Sequence, residues 1–192
     1  MTTSTPVFPA ELCPRAADVD GTRIRPGALR RMVSGVVARR EIWAPQVRFD
    51  LAERYFTRLY RDDLVEVWLI CWEFGQDTLL HDHGGSVGAF AVASGTLVED
   101  YAAEPGAPRL RTRAHAEGDA VAFGTRYLHN LVNTDTTPAV TVHAYSRPLR
   151  SMNFYCWLNS GMHHLREIPC DSPEPPTGDL EALAATARAV QR

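Results

Sequence analysis

Four of the seven histidines lie in one part of the chain, at spacings that could build a metal site. His81 and His83 are separated by a single residue, and side chains alternate along a β-strand, so both rings would face the same way. His129 and His143 follow in later strand-like segments. Two imidazoles on one face can hold one metal ion. A third imidazole from a neighbouring antiparallel strand would complete a facial set and leave other coordination positions open.

The histidines belong to two longer runs whose spacing resembles the two cupin motifs. The matching positions are Gly75, His81, Asp82, His83 and Gly95 in the first run, and Gly118, His129 and Asn133 in the second. The glutamate that usually completes the first motif is missing, because Val87 and Gly88 occupy the positions where it is expected. In the second motif, Gly124 and Arg126 stand where proline and glycine are usual. Loss of the carboxylate would leave a bound metal more positive, which favours an anionic thiolate as a further ligand.

A three-histidine set without this glutamate resembles the thiol dioxygenases, the cysteine dioxygenase family. The runs HDHGGS, GTLVED and TVHAYS also match, and the resemblance covers roughly residues 55–155. It implies that His81, His83 and His129 hold Fe(II) through neutral imidazoles, with substrate thiolate and O₂ as the remaining ligands. The implied reaction converts L-cysteine and O₂ into cysteine sulfinic acid. Zn²⁺ or Mn²⁺ could occupy the same ligands, since affinity alone does not select Fe(II).

Thr141, His143 and Tyr145 alternate on one predicted strand and therefore face the same way. The resemblance implies that this row is catalytic, with His143 orienting the Tyr145 hydroxyl at the iron pocket rather than acting as a fourth ligand. The alternative is that His143 is a core histidine whose hydrogen bonds are satisfied, beside a buried tyrosine, with no role in catalysis.

Arg58 aligns with the arginine that binds the substrate carboxylate in the arginine-type members of the family. A planar guanidinium matches a carboxylate with two parallel hydrogen bonds. Arg54, Arg58 and Arg61 also fall within two turns of a predicted helix, so a solvated charged face is the alternative. Replacement of Arg54 or Arg61 by alanine is expected to be nearly neutral. Arg126 is the next candidate for the carboxylate. Phe56 replaces a tyrosine of the animal enzymes.

Two further departures from the animal enzymes point to the bacterial branch. Gly88 stands where those enzymes carry the cysteine that crosslinks to the active-site tyrosine, so no crosslink to Tyr145 is expected. Arg147 replaces the proline after Ser146, which removes a Ser–Pro peptide and any expectation of a cis bond there.

Around these residues the chain is expected to form one mainly β cupin domain, a small β-barrel or jelly roll. Residues 1–62 are predicted to be a helical N-terminal segment, with helices in GALRRMVSGVVARRE and FDLAERYFTRLY. Residues 63–168 consist of short β-branched and aromatic runs separated by turn residues, as in an antiparallel sandwich or barrel. Residues 169–192 read as a proline-rich linker and a short C-terminal helix.

Composition narrows the class of protein. The chain has 192 residues and a net charge of −3, which fits one globular domain and argues against nucleic-acid binding. No apolar run reaches the ~18 residues of a membrane helix, and the N-terminus lacks the pattern of a secretory signal. We therefore expect a cytoplasmic monomer or weak homodimer that acts on a small thiol and O₂. The cysteines are expected to be reduced, and three histidines to be surface residues: His115, His163 and His164.

Two other functions remain open at this point. The same chemistry could act on 3-mercaptopropionate or another small thiol, although an arginine at position 58 disfavours cysteamine, which has no carboxylate. The chain could also be a non-catalytic metal-binding cupin that senses a small molecule.

Overall fold

The structure, a computed structural model, describes residues 8–170 and 177–190 and consists mainly of short antiparallel strands. The strands are β1 (Val19–Asp20), β2 (Arg23–Ile24), β3 (Phe56–Arg61), β4 (Glu66–Trp72), β5 (Leu80–Asp82), β6 (Val87–Ser94), β7 (Thr96–Ala102), β8 (Arg111–Ala116), β9 (Ala120–Phe123), β10 (Leu128–Val132), β11 (Ala139–Ser146), β12 (Ser151–Leu158) and β13 (Gly161–Pro169). β1 pairs with β2 alone. The others form a six-stranded sheet, β13-β12-β5-β10-β7-β8, and a five-stranded sheet, β3-β4-β11-β6-β9.

The two sheets pack against each other around an apolar core. Phe90 and Tyr145 of the five-stranded sheet and Leu97 and Leu131 of the six-stranded sheet belong to one buried cluster. Antiparallel strands divided between two packed sheets form a jelly roll. The mainly β jelly-roll fold predicted from the sequence is therefore confirmed.

The first predicted helix is present as α1 (Pro26–Val37), and a short helix α2 (Arg40–Trp43) follows it. α1 begins with proline, which has no N–H group to leave unpaired in the first turn. Its apolar side, which includes Leu29, packs on the outer face of β6, where the small side chain of Ala91 lets the helix approach. Because side chains alternate along β6, the neighbouring Phe90 points between the two sheets.

The helix predicted in FDLAERYFTRLY, residues 49–60, is wrong: residues 49–55 form neither helix nor strand, and Phe56–Arg61 form strand β3. β3 pairs with β4, with Phe56 opposite Ile70 and Arg58 opposite Trp68. Its apolar residues fit a strand as well as a helix, and the free edge of β4 decides between the two. The last part of the segment predicted as helical is thus an edge strand of the five-stranded sheet.

The predicted C-terminal helix is present as α3 (Thr177–Val190). Its buried Leu180 packs with Phe154 and Ile168 of the six-stranded sheet. Residues 171–176 of the proline-rich linker lie outside the described residues. Among the helices of the described ranges, none is both long and apolar enough to span a membrane.

Candidate metal centre

Three of the predicted site histidines meet between the two sheets. His81 lies on β5 directly opposite His129 on β10, and His83 follows two residues later in the chain. One ring nitrogen from each lies within 4.8 Å of the others, and all three side chains are buried. Three convergent imidazoles are a donor set that suits a transition metal ion.

Two of these histidines are oriented by hydrogen bonds behind the ring. The Nδ1–H group of His81 donates to the carbonyl of Leu79 at 2.9 Å, and Nδ1 of His129 lies 2.9 Å from Oε1 of Glu99. Leu79 has φ of 55°, in the left-handed region that residues other than glycine rarely adopt. When Nδ1 carries the proton of such a hydrogen bond, Nε2 has a free lone pair that can bind a metal ion.

His83 provides the test of whether a metal fits. Both of its ring nitrogens are buried, and neither has a hydrogen-bond partner among the described residues. Its ring stacks on Phe123, with centroids 4.8 Å apart, and lies beside Tyr145. A buried polar nitrogen without a partner is unfavourable, and coordination of a metal ion would satisfy it. The three residues therefore fit a metal ligand set.

The protonation states also suit metal binding. Burial holds the pKa values of His81 and His83 well below the usual range, and the neighbouring histidines lower them further. Neutral imidazoles have the lone pairs that coordination requires.

A carboxylate that the sequence analysis missed lies behind His129. Glu99 on β7 is fully buried, and burial alone would raise its pKa. Hydrogen bonds from His115, His129 and Arg113 outweigh this effect and hold the pKa of Glu99 well below its usual range. The centre therefore does have a nearby carboxylate, outside the ligand set. The signal was present in LVEDY, since Glu99 alternates with the inward-facing Leu97.

The expectation that His115 is a surface residue is wrong. Its side chain is 5% exposed, and Nε2 lies 2.8 Å from Oε2 of Glu99. β8 pairs with β7 so that His115 lies opposite Leu97, on the side facing the core. His163 is half-buried and His164 is exposed.

The Thr141–His143–Tyr145 row on β11 is hydrogen-bonded along its length. Trp72 Nε1–H donates to Thr141 Oγ1 at 2.9 Å, Thr141 Oγ1 lies 2.8 Å from His143 Nε2, and His143 Nδ1 lies 3.1 Å from the Tyr145 hydroxyl. Burial, with a smaller contribution from His129, lowers the pKa of His143 to about 3. His143 is thus neutral, and both of its ring nitrogens are engaged within the row.

A cavity of about 290 Å³ opens beside the histidines and carries three arginines on its wall. Its lining also includes His81, His129, His143, Tyr145, Glu66 and Trp68. Arg58 is exposed, and its guanidinium carbon lies 5.4 Å from the centre of a Trp68 ring.

Arg54 and Arg61, the other members of the predicted charged face, also line this cavity. Arg54 is half-buried, donates to the carbonyl of Asp77 and lies over Trp72. Arg61 is paired with Glu66 at 3.6 Å. The pairing of β3 with β4 explains why Arg58 and Arg61 face the same side. They lie opposite Trp68 and Glu66, which alternate to one face of β4, because the β-bulge between Arg58 and Tyr60 shifts the register by one residue.

Arg126, the reserve candidate, does not line the cavity. Its side chain is 67% exposed and pairs with Glu104 at 3.2 Å.

The Ser146–Arg147 peptide is cis, contrary to the expectation from the missing proline. Both residues contact the β1–β2 hairpin. Ser146 Oγ accepts the N–H of Ile24, and Nε–H of Arg147 donates to the carbonyl of Thr22.

Gly88 lies opposite Tyr145 across β6 and β11, and the aromatic ring of Phe123 occupies the space beside it. A Cβ atom at position 88 would overlap the ring of Phe123. The ring therefore fills the volume that a side chain at Gly88 would need.

A jelly roll with three inward histidines that can hold a metal ion is the arrangement typical of cupins. A family model described as cysteine dioxygenase type I matches residues 30–156, more than half of the chain. The chain belongs to the cysteine dioxygenase type I family.

Solved structures resemble the chain at low sequence identity. A Thermus thermophilus protein is 16% identical with a TM-score of 0.47, over 54% of this chain and 91% of that one. A Desulfitobacterium hafniense cupin superfamily protein is 10% identical with a TM-score of 0.46, over 55% and 87%. A Bacillus halodurans protein is 18% identical with a TM-score of 0.47, over 59% and 78%.

Proposed function

We propose that this chain is a mononuclear non-haem iron thiol dioxygenase that oxidises L-cysteine with O₂ to cysteine sulfinic acid. The observation that carries the proposal is the cluster of three buried histidines beside a cavity lined with arginines. Fe(II) held by His81, His83 and His129 would supply the redox chemistry that joins the thiolate sulfur to both oxygen atoms of O₂. No external reductant is needed, because the four electrons that reduce O₂ come from the sulfur.

The arginines supply recognition of the substrate carboxylate. Arg58 is the proposed anchor, because it projects at the cavity wall and its guanidinium is held over Trp68. Arg54 is the second cation on the same side and is the more buried of the two. A charged donor in a partly enclosed cavity forms a stronger hydrogen bond to a carboxylate than a neutral donor does.

Tyr145 lines the cavity beside the histidines and offers its hydroxyl group there. Thr141 accepts from Trp72 and can donate its own proton to His143 Nε2, so that His143 donates from Nδ1 to the tyrosine oxygen. The tyrosine hydroxyl would then direct its proton towards the substrate. The row thereby orients a donor without placing a charge in the site, since His143 is neutral.

Oxygen uptake and sulfinate formation test this function. Fe(II)-loaded protein is expected to consume O₂ and form sulfinate with L-cysteine, and to use cysteamine far less well. Faster turnover of 3-mercaptopropionate than of cysteine would assign that substrate instead. No uptake with any small thiol by iron-loaded protein would leave the non-catalytic cupin sensor as the function.

The ligand assignment is tested by iron content. His81→Ala and His129→Ala are expected to lose iron, because each removes one of three imidazoles. The exposed His164 offers a matched control, and His164→Ala should retain iron. Full iron occupancy in His81→Ala and His129→Ala would contradict the three-histidine centre.

A further inference from the structure

We propose that Glu99 is a positioning residue of the metal centre, which orients His129 and adds anionic charge behind it. This inference rests on the proposed metal site and extends it to residues on three strands. Glu99 lies on β7, its partner His129 on β10, and its two other strand neighbours, Arg113 and His115, on β8.

The carboxylate of Glu99 is saturated by its neighbours. Oε1 lies 2.9 Å from His129 Nδ1 and accepts the Tyr127 hydroxyl at 2.8 Å. Oε2 accepts Nε–H of Arg113 at 2.7 Å and lies 2.8 Å from His115 Nε2. A fully buried carboxylate with four partners has one orientation, so the ring that it contacts is held as well.

The bond to Glu99 selects the tautomer of His129. An ionised carboxylate only accepts hydrogen bonds, so Nδ1 of His129 must carry the proton and Nε2 must carry the lone pair. The carboxylate also makes the imidazole a better electron donor, as carboxylates behind metal-bound histidines do. Glu99 therefore partly replaces the anionic ligand that is absent at Val87 and Gly88.

Arg113 stabilises the buried charge of Glu99. Its side chain is 34% exposed, its guanidinium lies 4.2 Å from the centre of the Tyr101 ring, and Nη2 donates to the Tyr127 hydroxyl at 2.8 Å. The pair with Arg113 offsets the desolvation of Glu99. The result is a continuous polar connection from the protein surface to His129.

Metal affinity measures this role without any reference to turnover. Glu99→Gln keeps the size and one acceptor oxygen but removes the charge, and we expect its Zn²⁺ affinity to fall about 10-fold. Glu99→Ala removes both and should approach a loss of about 100-fold, the usual upper range for such partners. Asp100→Asn is the matched control: Asp100 is the next residue on β7, bonds to Thr112 and does not contact the histidines, so its variant should bind Zn²⁺ normally.

A redox titration separates positioning from simple structural support. In iron-loaded Glu99→Gln the Fe(III)/Fe(II) midpoint potential should rise, because removal of a nearby negative charge disfavours the more highly charged ion. Unchanged Zn²⁺ affinity and potential in Glu99→Gln would overturn the inference, and this variant serves even where Glu99→Ala fails to fold. If His81→Ala also bound Zn²⁺ like the unmodified protein, the metal site itself would be wrong. Loss in His81→Ala alone would reject only the role of Glu99.

Discussion

Each of the three clustered histidines has a different neighbour behind its ring. A backbone carbonyl holds His81 and a carboxylate holds His129, whereas His83 packs against Phe123 and Tyr145. The electrostatic environment of the centre is therefore asymmetric, with negative charge concentrated on the side of His129. The arginines of the cavity lie on β3 and at its start, on the other sheet, where they can meet the charged end of a substrate.

Replacing Arg58 tests the carboxylate anchor. Arg58→Ala is expected to lower kcat/KM for cysteine by at least about 10-fold, because charge-assisted hydrogen bonds contribute ~1.5–3 kcal/mol and each ~1.4 kcal/mol is a factor of ten. Iron content should remain unchanged, since Arg58 is not a ligand. Steady-state kinetics with cysteine and cysteamine measure the effect, which should be much smaller for cysteamine.

The exposed Arg126 provides the control for this experiment, because it lies outside the cavity and pairs with Glu104. Arg126→Ala should be close to neutral. Equal losses for cysteine and cysteamine in Arg58→Ala would assign Arg58 to support of the fold. Full activity in Arg58→Ala would transfer the carboxylate role to Arg54, the more buried arginine.

The absence of a side chain at Gly88 predicts an unmodified Tyr145. Denatured protein should show the mass of the unmodified chain before and after turnover, because Phe123 rather than a thiol lies beside this glycine. Intact-protein and peptide mass spectrometry measure this. A deficit of two hydrogens in the Tyr145 peptide would show that another thiol reaches the ring.

At the scale of elements, the register of β6, β9 and β11 determines what surrounds the centre. β11 lies between β4 and β6, which places Tyr145 opposite Gly88, and β9 pairs with β6 so that Phe123 also lies opposite Gly88. Phe123 then stacks on His83. One glycine on β6 thus makes room for an aromatic ring that packs against His83.

Adding a methyl group at Gly88 tests this packing. We expect Gly88→Ala to lower the free energy of unfolding by about 1–3 kcal/mol, the usual effect of overpacking, because the new Cβ would overlap the Phe123 ring. Denaturant unfolding measures the loss. Gly124→Ala is the matched control, since nothing lies within 4 Å of its added Cβ. Gly88→Ala combined with Phe123→Leu should recover part of the loss, and full stability of Gly88→Ala would show that the ring can move aside freely.

At the scale of the whole molecule, the fold buries several neutral histidines between its sheets. Burial lowers the pKa values of His81, His83 and His143, in the case of His143 from 6.5 to about 3. The unfolded chain therefore binds more protons than the folded chain below about pH 6.5, the ordinary pKa of histidine. The contribution of these groups to stability is complete above that pH and is lost as the pH falls towards the folded-state pKa.

Stability of the metal-free protein should accordingly fall as the pH is lowered from about 6.5 towards 3. Each such histidine contributes a slope of roughly 1 kcal/mol per pH unit in this range. Urea unfolding at several pH values, with a chelator present, measures it. His143→Gln should have a shallower slope than the unmodified protein, whereas the exposed His164→Gln should match it. Identical slopes in His143→Gln and the unmodified protein would contradict a neutral buried His143.

Features within a single strand were predictable from the sequence. Alternation along β11 already placed Thr141, His143 and Tyr145 on one side of the strand. For the same reason, His81 and His83 could be predicted to face the same way. The many short strand-like runs predicted the jelly roll, because the order of apolar and polar residues within each run indicates a strand and its buried side. These properties depend on neighbours in the chain, whose relative geometry is nearly constant.

Features that join separate strands required the folded chain. Glu99, His115 and Arg113 meet through the pairing of β7 with β8, and their sequence spacing does not specify that register. β3 became a strand because β4 had an edge to pair with, and this pairing placed Arg58 and Arg61 on the cavity wall, opposite Trp68 and Glu66. Local patterns are compatible with either outcome, and the free energy of burying and pairing distant segments selects one.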